Sequence, residues 1–435
     1  MENRTLAKDV DNNRDQSINL KGYVEKIKRL GGITFLNLRD RSGTAQVVVE
    51  DPQLLDDVKR FSIISLDGPV RDAPDSRDFE SEVYAKNVQV LSTPAEPYPI
   101  PTTPKSREKL EKVLQHRPIS LRNPRIRDIF KVQQTISQAF RDYLLGQDFT
   151  EIFSPKIVPA VAESGSNQFK LDYFGSPAFL TQSPQFYKQM LVGSGFERVF
   201  EVGHVYRAEE HSTSRHLNEY VSMDLEMGFI DSFEDLMNIE EGLVRSIFER
   251  VSQAHPEILR DFGVEEVQFG NGIPRISLGE MKRIIAEKYG YNVEGKDMDP
   301  EGERLASKYA KEEFGSDLVF LTHYPTTVRL FYTMPTKGDP SVTDSFDLIL
   351  RGVEITTGGQ RIHNYRQLLD SMKQFDVDPM GCEGYVSAFK YGMPPHGGMG
   401  IGLERLTART LDLKNVKEAS LFPRDRVRFS PWIYK

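Results

Sequence analysis

The stretch Gly397–Leu406, GGMGIGLERL, decides how the chain is to be read. Glycines 398, 400 and 402 recur at every second residue, and Glu404 and Arg405 follow. A dinucleotide-binding fingerprint needs its third glycine three residues after the second. Here that position is Leu403, so a doubly wound nucleotide fold fails on spacing. A period of two belongs to a strand, whose alternate residues share one face. Glycine at alternate positions strips that face bare, which in a strand marks a close approach by a ligand or by another backbone. The following ERLTARTLDL reads as a helix. Two readings stay open at this point: a tight strand–helix packing point, or a flat ligand lying on the bare strand.

The chain has 435 residues, the length of two or three domains, with 38% hydrophobic and 28% charged residues, as in a soluble globular protein. No apolar run approaches the roughly 20 residues of a membrane helix, so no membrane partner is expected. The polar, acid-containing leader MENRTLAKDVDNNRDQ resembles neither a signal nor a transit peptide. The only cysteine is Cys382. A disulfide framework and a cysteine-based metal site are thereby excluded, and a reducing cytoplasm is the expected setting. The net charge of −8 argues against a protein that coats nucleic acid but leaves room for a local basic surface.

Outward from the glycine strand, the chain falls into three parts. Residues 1–95 hold short strands (INLKGYVEKI, ITFLNLRDR, TAQVVVE, FSIISLDGPV) separated by turn signals such as LGG and RSG. Such a run predicts a small barrel, with the OB-fold as leading candidate because it offers a sheet face to oligonucleotides. Phe35 amid Lys26, Lys28, Arg29, Arg39 and Arg41 suits a splayed base, although its alternating strand would equally allow a core position. Residues 96–126 form a proline-rich, then basic, hinge. Residues 127–435 are expected to be an α+β domain with a mixed, mainly antiparallel sheet flanked by helices. Ile129, Val132, Ile136, Ala139 and Tyr143 space a helix from Arg127, and Pro155 interrupts the strand-like run after it. Residues 232–318 are polar and helical and look like an insertion.

Three stretches place charge inside strand-like sequence, which is costly unless the charges meet each other or a ligand. In the first, Arg207 and Glu209 end one strand, a polar loop carries Arg215 and His216, and a returning strand carries Tyr220, Asp224 and Glu226. Guanidinium groups on both arms of a hairpin suit forked contacts with phosphate oxygens. In the second, SFDLILRGVEITTGGQRIH, Glu354 and Thr357 are hard oxygen ligands suited to magnesium on substrate phosphates. The third is the glycine strand ending in Arg405, where a purine could lie beneath a guanidinium.

These residues bring a family into view. YRAE with its hairpin resembles motif 2 of the class II aminoacyl-tRNA synthetases, GMGIGLER resembles their motif 3, and the helix before FTEIFSPKIV is similar to motif 1, which usually lies at a homodimer interface. FLTQSPQFYKQML, RHLNEY, RGVEITTGGQRIH, YGMPPHGG and ASLFPRDR resemble the aspartate-specific, archaeal-type branch, and RLGGITFLNLRDRSGTAQVV its anticodon-binding barrel. The resemblance covers about residues 17–430. It implies that Arg207 holds the α-phosphate of ATP and touches the amino-acid carboxylate, that Glu209 meets the adenine edge, and that Tyr220 stacks on the ring. It further implies that Arg215 and His216 reach the outer phosphates, and that Leu217, Gly402, Glu404 and Arg405 close the nucleotide site. Glu354, with Thr357 beside it, carries Mg2+; the family commonly has serine at the latter position. Lys188 and Arg361 clamp the aspartate side chain with Asp224 orienting them, and Gln185 and Glu163 hold its ammonium. In the barrel, Phe35 stacks on an anticodon base while Arg29 and Gln46 bond base edges.

The function so implied is ATP-dependent attachment of L-aspartate to tRNA-Asp through an aspartyl-adenylate. One alternative is a form that charges tRNA-Asn as well; Glu25, at a position that helps separate the two groups, matches neither usual choice. Another is a synthetase-like RNA-binding paralogue without activity, against which Arg207, Arg405, Lys188 and the barrel all stand.

Overall fold

The structure, a computed structural model, describes residues 4–159, 168–210 and 213–429. It divides into two units, Met1–Pro99 and Ile100–Lys435.

The first unit is a barrel of β1 (Ser17–Leu30), β2 (Ile33–Arg39), β3 (Thr44–Val49), β4 (Ile63–Asp72), β5 (Ser81–Tyr84) and β6 (Asn87–Ser92), ordered β1-β2-β3-β5-β4-β6. A further β1–β4 pairing closes the ring. Closure depends on β1, whose first half pairs with β4 and whose second half pairs with β2 across a bulge at Val24–Lys26. The two strands β1 and β2 meet at Gly31–Gly32, and Gly31 has φ +59°, the left-handed conformation that a two-residue hairpin turn requires. Leu36, Leu38, Val47 and Val49 alternate inward to fill the interior.

The first long helix of the second unit is α1 (Pro124–Leu145). It starts three residues before the sequence pattern suggested, because the Asn123 side chain accepts from Arg125 N and Pro124 occupies the first turn. Its buried stripe of Ile129, Val132, Ile136 and Phe140 packs on the central sheet. That sheet comprises β7 (Thr150–Glu151), β8 (Arg198–Tyr206), β9 (Glu219–Gly228), β10 (Arg275–Ser277), β11 (Leu318–Thr322), β12 (Ser345–Leu350), β13 (Val353–Arg361) and β14 (His396–Gly402). The order is β10-β11-β12-β13-β14-β9-β8-β7. The six inner strands are antiparallel, and the edge strands β10 and β7 pair in parallel. Three helices bear on the site: α2 (Gln185–Leu191), α4 (Pro300–Phe314) and α5 (Leu403–Thr410), which follows β14 directly; α3 (Glu234–Ala254) lies between α2 and α4 in the chain. Leu236, Leu243 and Ile247 of α3 enter the same core cluster as α1, and β10 belongs to the sheet. Much of the stretch 232–318 is therefore framework of this unit. Residues 100–126 also lie within it, where the buried guanidinium of Arg117 donates to the carbonyls of Glu418, Ser420 and Leu421.

Candidate active site

The glycine strand β14 sits between β9 and β13, and its register explains the glycines. Glu226, Asp224 and Ser222 on β9 stand opposite Gly398, Gly400 and Gly402. On the other edge Gly398 faces Gly359 and Gly400 faces Thr357. A Cβ at Gly398 would lie 2.1 Å from Glu226 Oε2, so this glycine clears space for a buried carboxylate of the protein itself. Gly400 and Gly402 instead line a cavity of about 540 Å³. Gly398 thus serves packing between neighbouring strands rather than between strand and helix, while Gly400 and Gly402 border open space.

Into this cavity the fold brings Gln185, Arg207, Glu209, Arg215, His216, Leu217, Tyr220, Asp224, Glu354, Thr357, Arg361, Gly402, Glu404 and Arg405. Lys188 lies just outside the lining, and its side chain is only 1% exposed. Glu163 falls outside the described residues.

One half of the cavity is built on an ion network. Lys188 Nζ donates to Asp224 Oδ1 at 2.9 Å and to the carbonyls of Met399 and Leu225 at 3.2 and 3.3 Å. It also lies 3.4 Å from Glu226 Oε2. Arg361 Nε donates to Glu226 Oε1 at 3.0 Å, and its second nitrogen donates to Gly398 O at 2.9 Å and to Gln185 Oε1 at 3.3 Å. Gln185 Nε2 returns to Glu226 Oε2 at 3.2 Å. Burial works to raise the Glu226 carboxyl, but Arg361, Lys188 and His396 together hold it below its ordinary value. Asp224 Oδ2 is buried without a hydrogen-bond partner. A buried anionic oxygen left bare in a polar cavity is an acceptor awaiting a donor.

The other half centres on Arg207. The Arg207 guanidinium lies 5.7 Å from the Tyr220 ring, and its buried Nε has no partner. Tyr220, ahead of an opposing burial effect, and the acids Glu209, Glu354 and Asp224 hold Arg207 above its ordinary value, so it stays charged. Its loop is fixed by Asn218, whose side chain donates to the carbonyls of Arg207 and Glu209 at 2.8 and 3.2 Å. Arg405 donates to Glu354 O at 2.9 Å and lies 3.4 Å from Glu354 Oε1. Thr357 Oγ1 donates to Glu354 Oε1 at 2.9 Å. The Glu404 carboxylate is committed to Val221 N at 3.1 and 3.2 Å, and burial pushes it up to about 7. It fastens α5 to β9 rather than facing the cavity with free oxygens. His216 Nδ1 lies 2.6 Å from Thr213 Oγ1.

The sequence reading put Glu226 on the returning strand beside Asp224 but gave it no role; it joins Lys188 to Arg361. Two further contributors escaped that reading. Glu303 on α4 pairs with Arg215 at 3.0 Å and accepts from Glu354 N at 3.0 Å. Its helix reads as a solvated surface helix and gives no signal. Arg329 lines the cavity, donates to Asp347 Oδ1 at 2.7 Å and lies 3.8 Å from the Tyr324 ring. An arginine within the apolar run VRLFYTM was the clue. Cys382, by contrast, is buried among apolar side chains, where its thiol is pushed up to about 11, and makes no part of the site.

In the barrel unit, Phe35 points out of the interior between buried Thr34 and Leu36, which excludes the core reading. Its cross-strand neighbour is Lys28, and Arg29 is exposed. Gln46 lies on the same sheet face, and its Nε2 donates to Glu82 Oε2 at 2.7 Å. Glu25 is bridged to Arg39 at 2.8 Å.

Comparison with known proteins agrees with this geometry. Residues 109–426 match the family of class II tRNA synthetases (D, K and N), and residues 18–91 match the OB-fold nucleic acid binding domain. An aspartate–tRNA(Asp/Asn) ligase of Aeropyrum pernix is 46% identical over 94% of this chain and 94% of its own length. An aspartate–tRNA(Asp) ligase of Pyrococcus abyssi is 38% identical over 96% of each. The crystal structure of asparaginyl-tRNA synthetase from Pyrococcus horikoshii with asparaginyl-adenylate superimposes with a TM-score of 0.90 at 30% identity, covering 99% of this chain and 100% of that one. The antiparallel sheet, its arginine-lined cavity and these matches over nearly the whole length make the chain a member of the class II aminoacyl-tRNA synthetases, in the group that comprises the D, K and N enzymes.

Proposed function

We propose that the protein activates L-aspartate with ATP and transfers it to tRNA. The observation that carries this reading is the buried network of Lys188, Asp224, Glu226 and Arg361 beside the Arg207 half of one cavity. Two cations against a small carboxylate favour aspartate. Asparagine would leave buried charge unpaired, at a cost of several kcal/mol, and sites built on polar pairing discriminate strongly. Lys188 and Arg361 clamp the side-chain carboxylate, with Asp224 orienting Lys188, and Gln185 and Glu163 take the ammonium.

In the first step an oxygen of the aspartate α-carboxylate attacks the α-phosphorus of ATP, the bond to the bridging oxygen breaks, and pyrophosphate leaves. In the second, the 3′-terminal ribose hydroxyl of tRNA attacks the acyl carbon and AMP departs. No protein nucleophile takes part. Arg207 neutralises charge on the α-phosphoryl oxygens, and the fixed sheet holds the reactants in line. Tyr220 supports the purine, Glu209 faces its edge, and Arg215, His216 and Arg405 meet the outer phosphates. Glu354 Oε1 and Thr357 Oγ1, 2.9 Å apart in the cavity, would hold Mg2+, with phosphate and water supplying its other ligands. The ion would add charge neutralisation at the phosphates. On the barrel, Phe35, Arg29 and Gln46 receive the anticodon. Exposed Phe153 and Ile157, flanking Pro155, support a homodimer through this edge. The single cysteine supports a reducing, cytoplasmic setting. No described helix is long and apolar enough to cross a membrane.

The tRNA range extends to tRNA-Asn on a second reading, favoured by the higher identity to the Asp/Asn ligase, 46% against 38% for the Asp ligase. Charging of purified tRNA-Asp and tRNA-Asn with labelled aspartate tests both. Acylation of tRNA-Asp is expected. Acylation of tRNA-Asn would establish the wider range, and acylation of neither would refute the function.

A further inference from the structure

A second cavity, of about 260 Å³, adjoins the first and shares Arg215, Arg405 and Val416 with it. Its cationic side chains are Arg215, Arg304, Arg351, Arg405, Arg409 and Lys414, and no acid is among the described residues that line it. The acids that pair with these cations stand behind them: Glu303 with Arg215, Glu301 with Arg304, Asp317 with Arg351, and Asp412 with Arg409 and Lys414. Arg405 lies 3.4 Å from Glu354 Oε1, on the side of the first cavity. The wall is thus uniformly positive while the charge balance is struck outside it. Arg409 bears the mark of this crowding. Burial lowers it, Asp412 opposes, and the neighbouring Arg215 and Arg351 lower it further. The packing is tight where it needs to be. Gly352 has φ +79°, and a Cβ there would meet Arg304 Cα at 3.2 Å, so glycine is what lets α4 deliver Arg304 to the wall.

A concave, cation-lined space that excludes carboxylates concentrates polyanions, and guanidinium forks match phosphate oxygens. We propose that this cavity is a condensed-phosphate site that receives the pyrophosphate released by amino-acid activation as it passes Arg215 and Arg405. The inference deepens the function proposed above and rests on it for the origin of the pyrophosphate. The bond broken is the one already described, between the α-phosphorus and the bridging oxygen; the second cavity only holds the departed anion. Such a station would hold pyrophosphate beside the active site and set the concentration at which it drives the reverse reaction.

The test uses Lys414→Ala and the double variant Arg304→Ala/Lys414→Ala of the full chain. Both side chains are largely exposed, 84% and 58%, so folding is expected to survive. Inorganic pyrophosphate is titrated calorimetrically into wild type and variants without ATP. Aspartate-dependent ATP–pyrophosphate exchange is then measured against pyrophosphate and against ATP. We expect the pyrophosphate Kd and its KM in exchange to rise about tenfold in the double variant and less in the single one, with the KM for ATP unchanged. Unchanged pyrophosphate affinity in the double variant would overturn the proposal. So would a parallel rise in the ATP KM, which would make the cavity part of the bound triphosphate's own site. Calorimetry separates the two claims: charge-dependent pyrophosphate binding supports the site even where wild-type exchange is absent, and absent exchange counts against the function alone.

Discussion

The barrel and the eight-stranded sheet both turn a polar face outward from alternating strands, yet they hold charge in opposite ways. At the sheet, Glu226 and Arg361 from its strands and Lys188 from α2 are buried and paired through Glu226 before any ligand arrives. On the barrel, Phe35 is half-exposed, Arg29 is exposed, and Gln46 has a single side-chain partner in Glu82. A buried ion network is expensive and seldom worth more than apolar packing. It is retained where one small charged molecule must be told from its neutral analogue. An exposed platform suffices where a long polyanion binds through many contacts, each worth little alone.

Substitutions can break or sharpen that contrast. The largest effect is expected from Arg207→Ala, which should lower aspartate-dependent ATP–pyrophosphate exchange by about 1000-fold or more, since in the proposed mechanism it removes the cation that faces the reacting phosphorus. Retention of most of the exchange would remove the residue from the mechanism. Lys188→Met should both raise the KM for aspartate and destabilise the second unit by about 3–5 kcal/mol, because Asp224 and Glu226 lose their shared cation. Urea unfolding would register this. A wild-type denaturation midpoint would show that the network is not the costly element described here.

The barrel should behave otherwise. Phe35→Ala should weaken tRNA charging about tenfold through loss of one stacking contact, with exchange spared. Equal loss of both activities would erase the contrast between platform and network. The smallest effect sharpens the comparison within the sheet unit, between two fully buried carboxylates. Glu226 is held below its ordinary value by its cations, so its stabilisation is present above that value and is lost as pH falls through the folded one. Glu240 lies beside Thr356, and burial, with the nearby Asp347 adding to it, pushes it up to about 8. The folded state keeps its proton, so stability is full below the ordinary value of 4.5 and is lost as pH rises through about 8. Glu240→Gln should therefore flatten the fall of Tm between about pH 4.5 and 8 and leave activity unchanged. An identical Tm profile would contradict the assignment.

What the sequence made legible follows from what a period can carry. Glycines at every second position named a strand, and residues 207 and 209, or 220, 224 and 226, could be put on common faces from parity alone. The cavity lining then collected Arg207 from just past the end of β8, Tyr220 and Asp224 from β9, Glu354 from β13 and Arg405 from α5. Parity does not say which residue crosses to which. Glu226 bonds Arg361 from 135 residues away, and Arg215 finds Glu303 across 88 residues, on a helix whose surface pattern looks like any solvated one. Arg329 reaches Asp347 from the end of a short turn, with no periodic signal at all. The start of α1 moved because a cap, Asn123, outranks the spacing of apolar residues.

The central claim is that a preformed, buried ion network selects an amino acid with a negatively charged side chain. Its most direct test is ATP–pyrophosphate exchange on the wild-type protein with aspartate and with asparagine under identical conditions. A preference for aspartate of about 1000-fold or more is predicted. Comparable exchange with asparagine would contradict the account.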